Sequence, residues 1–114
     1  MEAYFITIAG AKNYYGLQPF KPGVTVKLEK DKENKHDGEA IRVTLPYIDT
    51  VGYVANSTHT VYDGTHSAGR LYDKMEDYAY ARVMFVTHSS VIAMFISAEL
   101  AEKSSTEKNI NVLT

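Results

Sequence analysis

Apolar and polar residues alternate along much of the chain with a period of about two residues, which is typical of β-strands. Successive side chains of a strand point to opposite faces, so a strand with one buried face places an apolar residue at every second position. Segments 24–29 and 41–45 alternate in this way without interruption. Other segments are rich in β-branched and aromatic residues. The pattern therefore predicts strands at 4–9, 24–29, 41–45, 50–55, 78–87 and 91–96.

Proline, glycine and a polar turn mark where these strands end or deviate. Pro46 has no amide hydrogen for a central ladder, so the third strand is expected to end before it. Gly52 lies inside the fourth predicted strand and indicates a β-bulge or a close approach of another backbone. The turn-prone segment 88–90 separates the last two strands, which are predicted to pair as a hairpin.

One segment follows the helical period instead. Four apolar residues at i, i+3, i+4 and i+7 form one stripe: Ala68, Leu71, Tyr72 and Met75. Ser67 precedes them, where an N-cap side chain accepts a hydrogen bond from an unpaired amide. A short helix is therefore predicted at residues 67–75. Because strands and helices do not alternate, we expect a mainly β fold, in which an antiparallel sheet is either closed into a small barrel or folded as a sandwich.

Composition is that of an ordinary globular domain, with 45% hydrophobic and 23% charged residues among 114. We expect residues 1–98 to form one β domain. The polar segment 99–114 is expected to be a frayed tail, because this segment has little apolar surface to bury. Without cysteine, the sequence excludes disulfides and thiolate metal sites. No apolar stretch reaches the ~20 residues that span a bilayer, and Glu2 stands where a secretory signal has a base. We expect a soluble, cytoplasmic protein without a membrane partner.

Charge is unevenly distributed around a net value of −2, which argues against coating nucleic acid through bulk electrostatics. Six lysines face three acids in segment 12–35, whereas acids outnumber bases in segment 49–77. The first segment indicates either a mildly positive binding side or an ordinary solvated surface.

Sequence motifs for catalysis and for phosphate binding are missing. Neither G-x-x-x-x-G-K-[ST] nor G-x-G-x-x-G occurs, and no pair of carboxylates has a spacing typical of acid–base catalysis. We therefore expect no enzyme activity, no catalytic residue, no cofactor and no metal. His59, Asp63 and His66 are spaced four and three apart and leave a metal-dependent hydrolase as one alternative. Gly64 and the β-branched neighbours argue against the helix that would align them.

The loop after the first predicted strand, 12–16, combines a lysine, an asparagine and two tyrosines ahead of a glycine. Aromatic rings stack on nucleobases and lysine neutralises phosphate, and small barrels often bind single strands in this way. The alternative is that Tyr14 and Tyr15 cover one end of the barrel. The residues alone leave both interpretations open.

Three segments in this order resemble the HIRAN domain, a small β-barrel module best known in DNA-remodelling helicases of replication-fork repair. The first is 8–16, a strand followed by glycine, lysine and aromatic residues. The second and most specific is 31–43, which is similar to a family pattern of Asp, then Asn-Pro-aromatic-Asp, then Asn-Ala-Ile-x-Val. The third is 51–54, Val-Gly-Tyr-Val. The chain is thereby identified as a small, stand-alone, bacterial-type member of that family.

In the best-known members the module binds the 3′ end of single-stranded DNA, and the resemblance implies the same site here. Asp37 would accept a hydrogen bond from the terminal 3′-hydroxyl, and Lys12 would meet phosphate. Tyr14 and His36 would stack on or flank the last bases. The resemblance implies these nucleic-acid-binding residues: Lys12, Asn13, Tyr14, Asn34, His36, Asp37, Tyr53 and Phe85.

The sequence departs from the family pattern at three positions in the loops that carry these residues. Asn13 stands where the DNA-end readers have an aromatic residue, Lys35 where proline is usual, and His36 where an aromatic ring is common. Asp37-Gly38 also suits a tight turn without any ligand.

We expect a non-catalytic reader of single-stranded DNA 3′ ends in DNA repair or replication, partnered by a repair or helicase protein. The alternative is a protein-interaction or small-ligand barrel that has lost the DNA pocket.

Overall fold

The structure is a computed structural model that describes residues 4–57 and 59–97. The predicted tail at 99–114 lies outside the described residues, so the division of the chain at residue 98 stays a prediction. Within the described residues, no helix is long and apolar enough to cross a membrane.

Six antiparallel strands form a closed barrel, which confirms the predicted fold class. The strands are β1 (Phe5–Ala9), β2 (Thr25–Lys30), β3 (Ile41–Leu45), β4 (Asp49–Val54), β5 (Tyr78–Val86) and β6 (Val91–Ile96). Their order around the barrel is β1-β4-β3-β2-β5-β6, and β6 closes the ring by pairing with β1. Pairing of β5 with β6 confirms the predicted hairpin.

The barrel interior is filled by the alternating apolar residues that defined the strands. In β2, Val26 and Leu28 are buried while Lys27 between them is partly exposed. Phe20 and Leu71, from outside the strands, belong to the same core. Burial of one face fixes the strand register, because a shift by one residue would turn the apolar set towards water.

A single turn of helix, α1 (Ala68–Tyr72), is shorter than the predicted segment 67–75. The predicted N-cap is confirmed, since the Ser67 side chain accepts a hydrogen bond from the Arg70 amide at 3.3 Å. After Tyr72 the chain forms a tighter turn, in which the Lys74 amide donates to Leu71 O, three residues earlier. Met75 follows this turn and is buried. The predicted apolar stripe therefore extends beyond the end of the α-helix.

Gly52 has both features that the sequence indicated. Val43 pairs with Gly52 and Thr44 with Thr50, so β4 has one extra residue at this point, which is a β-bulge. A Cβ atom at Gly52 would lie 3.0 Å from the backbone oxygen of Ala9 and 3.0 Å from Ile8 Cγ2. Glycine therefore lets β1 approach β4 this closely without a crowded Cβ contact.

Candidate functional site

Four of the predicted binding residues lie around one hollow of about 380 Å³, here called the first hollow. It is bounded by the last residues of β1, the second half of β4 and the loop between β2 and β3. The residues from the prediction that line it are Asn34, His36, Asp37 and Tyr53. Half of the eight residues that the resemblance assigns to DNA binding are thus close together in space.

Asn34 shapes the loop between β2 and β3. Its Oδ1 accepts hydrogen bonds from the backbone amides of His36 and Asp37, each at 2.9 Å. This is an Asx turn, in which the side-chain oxygen takes the place of a backbone carbonyl as the acceptor. The turn fixes the backbone at His36 and Asp37, and both side chains line the hollow.

Asp37 is half-buried and each of its carboxylate oxygens has a neighbour. Oδ1 accepts from the Glu39 amide at 2.9 Å, which is the turn chemistry that the Asp-Gly pair suggested. Oδ2 accepts from the Asn56 side-chain amide at the longer distance of 3.3 Å. A carboxylate has about four lone-pair sites, so two contacts leave acceptor capacity on the side of the hollow.

Tyr53 supplies the ring at the wall of the hollow. Its hydroxyl donates to Asp31 Oδ2 at 2.8 Å. Burial, and then this hydrogen bond to the Asp31 carboxylate, raise the pKa of Tyr53 to about 12, so the hydroxyl stays protonated. Tyr14 lies beside it, with ring centroids 6.3 Å apart, and is 43% exposed. Two neighbouring aromatic rings thus lie at the same end of the barrel, and one of them is exposed to solvent.

Lys12, Asn13 and Phe85 do not line the first hollow. Lys12 and Asn13 belong to the 3-10 helix Ala11–Asn13, which follows Gly10 in the left-handed conformation at φ 74°. Lys12 lines a second hollow of about 580 Å³ next to the first. Phe85 is 61% exposed on β5 and lines neither hollow.

Three polar residues of the first hollow, Asn56, Ser57 and Thr60, were missed by the sequence reasoning. Asn56 connects two parts of the site, because Nδ2 donates to Asp37 while Oδ1 accepts from the Gly69 amide of α1 at 2.9 Å. In the sequence, Asn56 begins an Asn-Ser-Thr pattern, which is typical of glycosylation sites and unrelated to this role. Loop residues of this kind have no periodicity from which to infer a position.

The family model of the HIRAN domain matches residues 1–101 of the 114-residue chain. The chain belongs to the HIRAN family. HIRAN domains are known as nucleic-acid-binding modules. The resemblance of the three sequence segments is therefore confirmed at the level of the family.

One solved structure similar to this HIRAN domain is the crystal structure of a protein from Lactobacillus plantarum. The two are 17% identical, with a TM-score of 0.56, and the similarity covers 82% of this chain and 93% of the other. At this identity the likeness supports the fold alone. The search of curated proteins finds no match.

A loop between β4 and α1 forms the outer wall of both hollows in this HIRAN domain, and Thr7 of β1 holds it in place. Thr7 is fully buried, and its Oγ1 accepts from the Tyr62 amide at 3.0 Å. The hydroxyls of Thr7 and Thr65 are 2.7 Å apart. Thr60, from the same loop, lines both hollows.

We expect Thr7→Val to release this loop while leaving the barrel folded. The substitution keeps the shape of the side chain but removes the acceptor of the Tyr62 amide, which costs about 1–3 kcal/mol. Urea unfolding should show a loss of that size, and hydrogen exchange at Tyr62 and Thr65 should accelerate. Thr7→Ser, which keeps the hydroxyl, is the control. Unchanged exchange in Thr7→Val would show that the hydroxyl does not hold the loop.

The predicted alternative metal site is not assembled. In the described part of the HIRAN domain, no three His, Cys, Asp or Glu side chains are close enough to hold a metal ion. His66 instead stacks on Tyr4 with ring centroids 3.8 Å apart, while His59 lines the second hollow.

Proposed function

We propose that this HIRAN domain is a non-catalytic module that binds the 3′ end of single-stranded DNA in DNA repair or replication. The proposal is supported by the family and by the first hollow, in which a carboxylate and an aromatic wall face the same space. In this proposal the domain guides a repair or helicase protein to the strand end, since the chemistry there is done by the partner.

The Asp37 carboxylate is the observation that carries the proposal. A terminal 3′-hydroxyl is a hydrogen-bond donor, and an ionised carboxylate is an acceptor only. A continuing strand or a 3′-phosphate would bring negative charge to the same place and be repelled. Asp37 therefore gives the hollow a means of distinguishing a free 3′-hydroxyl from a 3′-phosphate and from an internal position of a strand.

The rings of Tyr53, Tyr14 and His36 supply the affinity for the last nucleotides. Stacking of a base on an aromatic side chain is worth about 1–3 kcal/mol and tolerates any base. Tyr53 lines the hollow and Tyr14 is exposed next to it. We expect these rings to hold the bases without preference for a sequence.

Fluorescence anisotropy with one oligonucleotide, carrying its 3′ end either free or phosphorylated, tests this function. A hydrogen bond to a charged group contributes about 1.5–3 kcal/mol, so phosphorylation should weaken binding about tenfold or more. A 5′-phosphate on the same oligonucleotide is the control and should have little effect. Equal, weak binding of all three would reject the end reader and favour the protein-interaction or small-ligand barrel.

A further inference from the structure

The second hollow differs from the first in its charge. Its polar lining includes Lys12, His59, His88, Ser89 and Ser90. Among the described residues that line it, none carries a carboxylate. Ammonium, imidazole and hydroxyl groups all donate hydrogen bonds, and this combination suits the oxygens of a phosphate.

The two hollows are adjacent, and Ala9, Gly10 and Thr60 line both of them. Ala9 and Gly10 have the smallest side chains, and a Cβ built at Gly10 would meet only Asn13 Nδ2, at 3.9 Å. The second hollow is therefore the neighbouring space for a strand whose last nucleotide lies in the first.

The far wall of the second hollow is the tip of the β5–β6 hairpin, and it is well ordered by hydrogen bonds. Thr87 Oγ1 accepts from the amides of Ser89 at 3.3 Å and Ser90 at 2.8 Å. The Thr87 amide in turn donates to Ser90 O at 2.8 Å. These contacts order the turn that carries His88 at the second hollow before any ligand binds. Such ordering lowers the entropic cost of binding.

We infer that the second hollow binds the backbone phosphates of the nucleotides that precede the 3′ end, through His59 and His88 together with Lys12. This inference rests on the proposed function and adds to it the direction in which the strand is bound. Asp37 repels phosphate from the first hollow, while the donors of the second hollow attract it. A strand is thereby fixed in one direction, with its terminus in the first hollow and its chain leading past the hairpin tip.

The test compares a dinucleotide with a hexanucleotide, both ending in a free 3′-hydroxyl, by NMR titration of the labelled protein. The hexanucleotide should bind about tenfold more tightly, and its affinity should fall more steeply with salt, by about 0.7 in log–log slope for each added phosphate contact. Only the longer ligand should shift the amide signals of Ser89 and Ser90. A hexanucleotide with neutral methylphosphonate linkages should bind like the dinucleotide.

The double variant His59→Ala/His88→Ala should lower hexanucleotide affinity to that of the dinucleotide and leave dinucleotide affinity unchanged. Lys74→Ala, which removes a positive charge that lines neither hollow, is the control for general electrostatics. Equal affinity of the two oligonucleotides, or equal loss for both in the double variant, would overturn the inference. Neither result contradicts the proposed recognition of a free 3′ end, provided that 3′-phosphorylation still weakens dinucleotide binding. Loss of that effect rejects the proposed function itself.

Discussion

Asp37→Asn is expected to abolish discrimination between a free and a phosphorylated 3′ end. Asparagine keeps the size of the side chain and an oxygen that can accept from the Glu39 amide, so the turn should persist. It removes the negative charge that accepts the 3′-hydroxyl and repels phosphate. Binding of the free end should weaken about tenfold, while binding of the 3′-phosphate should stay level or improve. Anisotropy titrations of the two oligonucleotides measure both effects.

The matched control is Glu33→Gln. Glu33 is exposed on the same loop, lines neither hollow, and its substitution changes the net charge of the protein by the same amount. Glu33→Gln should leave the ratio of the two affinities unchanged. If both variants alter binding in the same way, the carboxylate at position 37 acts only through overall charge and has no specific role in recognising the end.

The strand β2 could be predicted from the sequence because it has one buried face, whereas β1 and β6, which each bury three consecutive residues, were predicted from their β-branched and aromatic content. The boundaries of the strands in the structure differ from the predicted ones by no more than one residue. Lys27 between Val26 and Leu28 shows why: alternation reports burial directly when side chains alternate between core and solvent. The α-helix was less predictable, because burial of Met75 constrains its side chain and not the backbone hydrogen bonds around it.

Asn34 and Asp37 were assigned to the candidate site through the resemblance to the HIRAN pattern, whereas the residues alone indicated only a tight turn at Asp37-Gly38. Both side chains do bond to the backbone of their own loop, as such a turn requires. Lys12 lies in the neighbouring hollow because the chain turns sharply at Gly10, and a sequence pattern gives no direction for a side chain after such a turn. Thr60 reaches both hollows through a loop held by Thr7, a contact between residues distant in sequence.

Substitution of Gly52 by valine should be among the most destabilising changes in the barrel. A Cβ there would lie 3.0 Å from the backbone oxygen of Ala9, which cannot move aside as a flexible side chain would. The additional methyl groups force β1 away from β4, and overpacking of this kind costs about 1–3 kcal/mol. Urea unfolding should show that loss. Because Ala9 lines both hollows, nucleic-acid binding should weaken even where the protein remains folded.

Gly38→Val is the control for Gly52→Val, because it adds the same atoms beside the first hollow. A Cβ at Gly38 would meet nothing within 4 Å, and its backbone does not need the left-handed conformation that favours glycine. Its free energy of unfolding should therefore change by less than about 1 kcal/mol. Similar losses in both variants would mean that valine is poorly tolerated in either segment for reasons other than crowding. A stable Gly52→Val protein would show that β1 and β4 can separate without cost, and that the close approach of the two strands does not position the site.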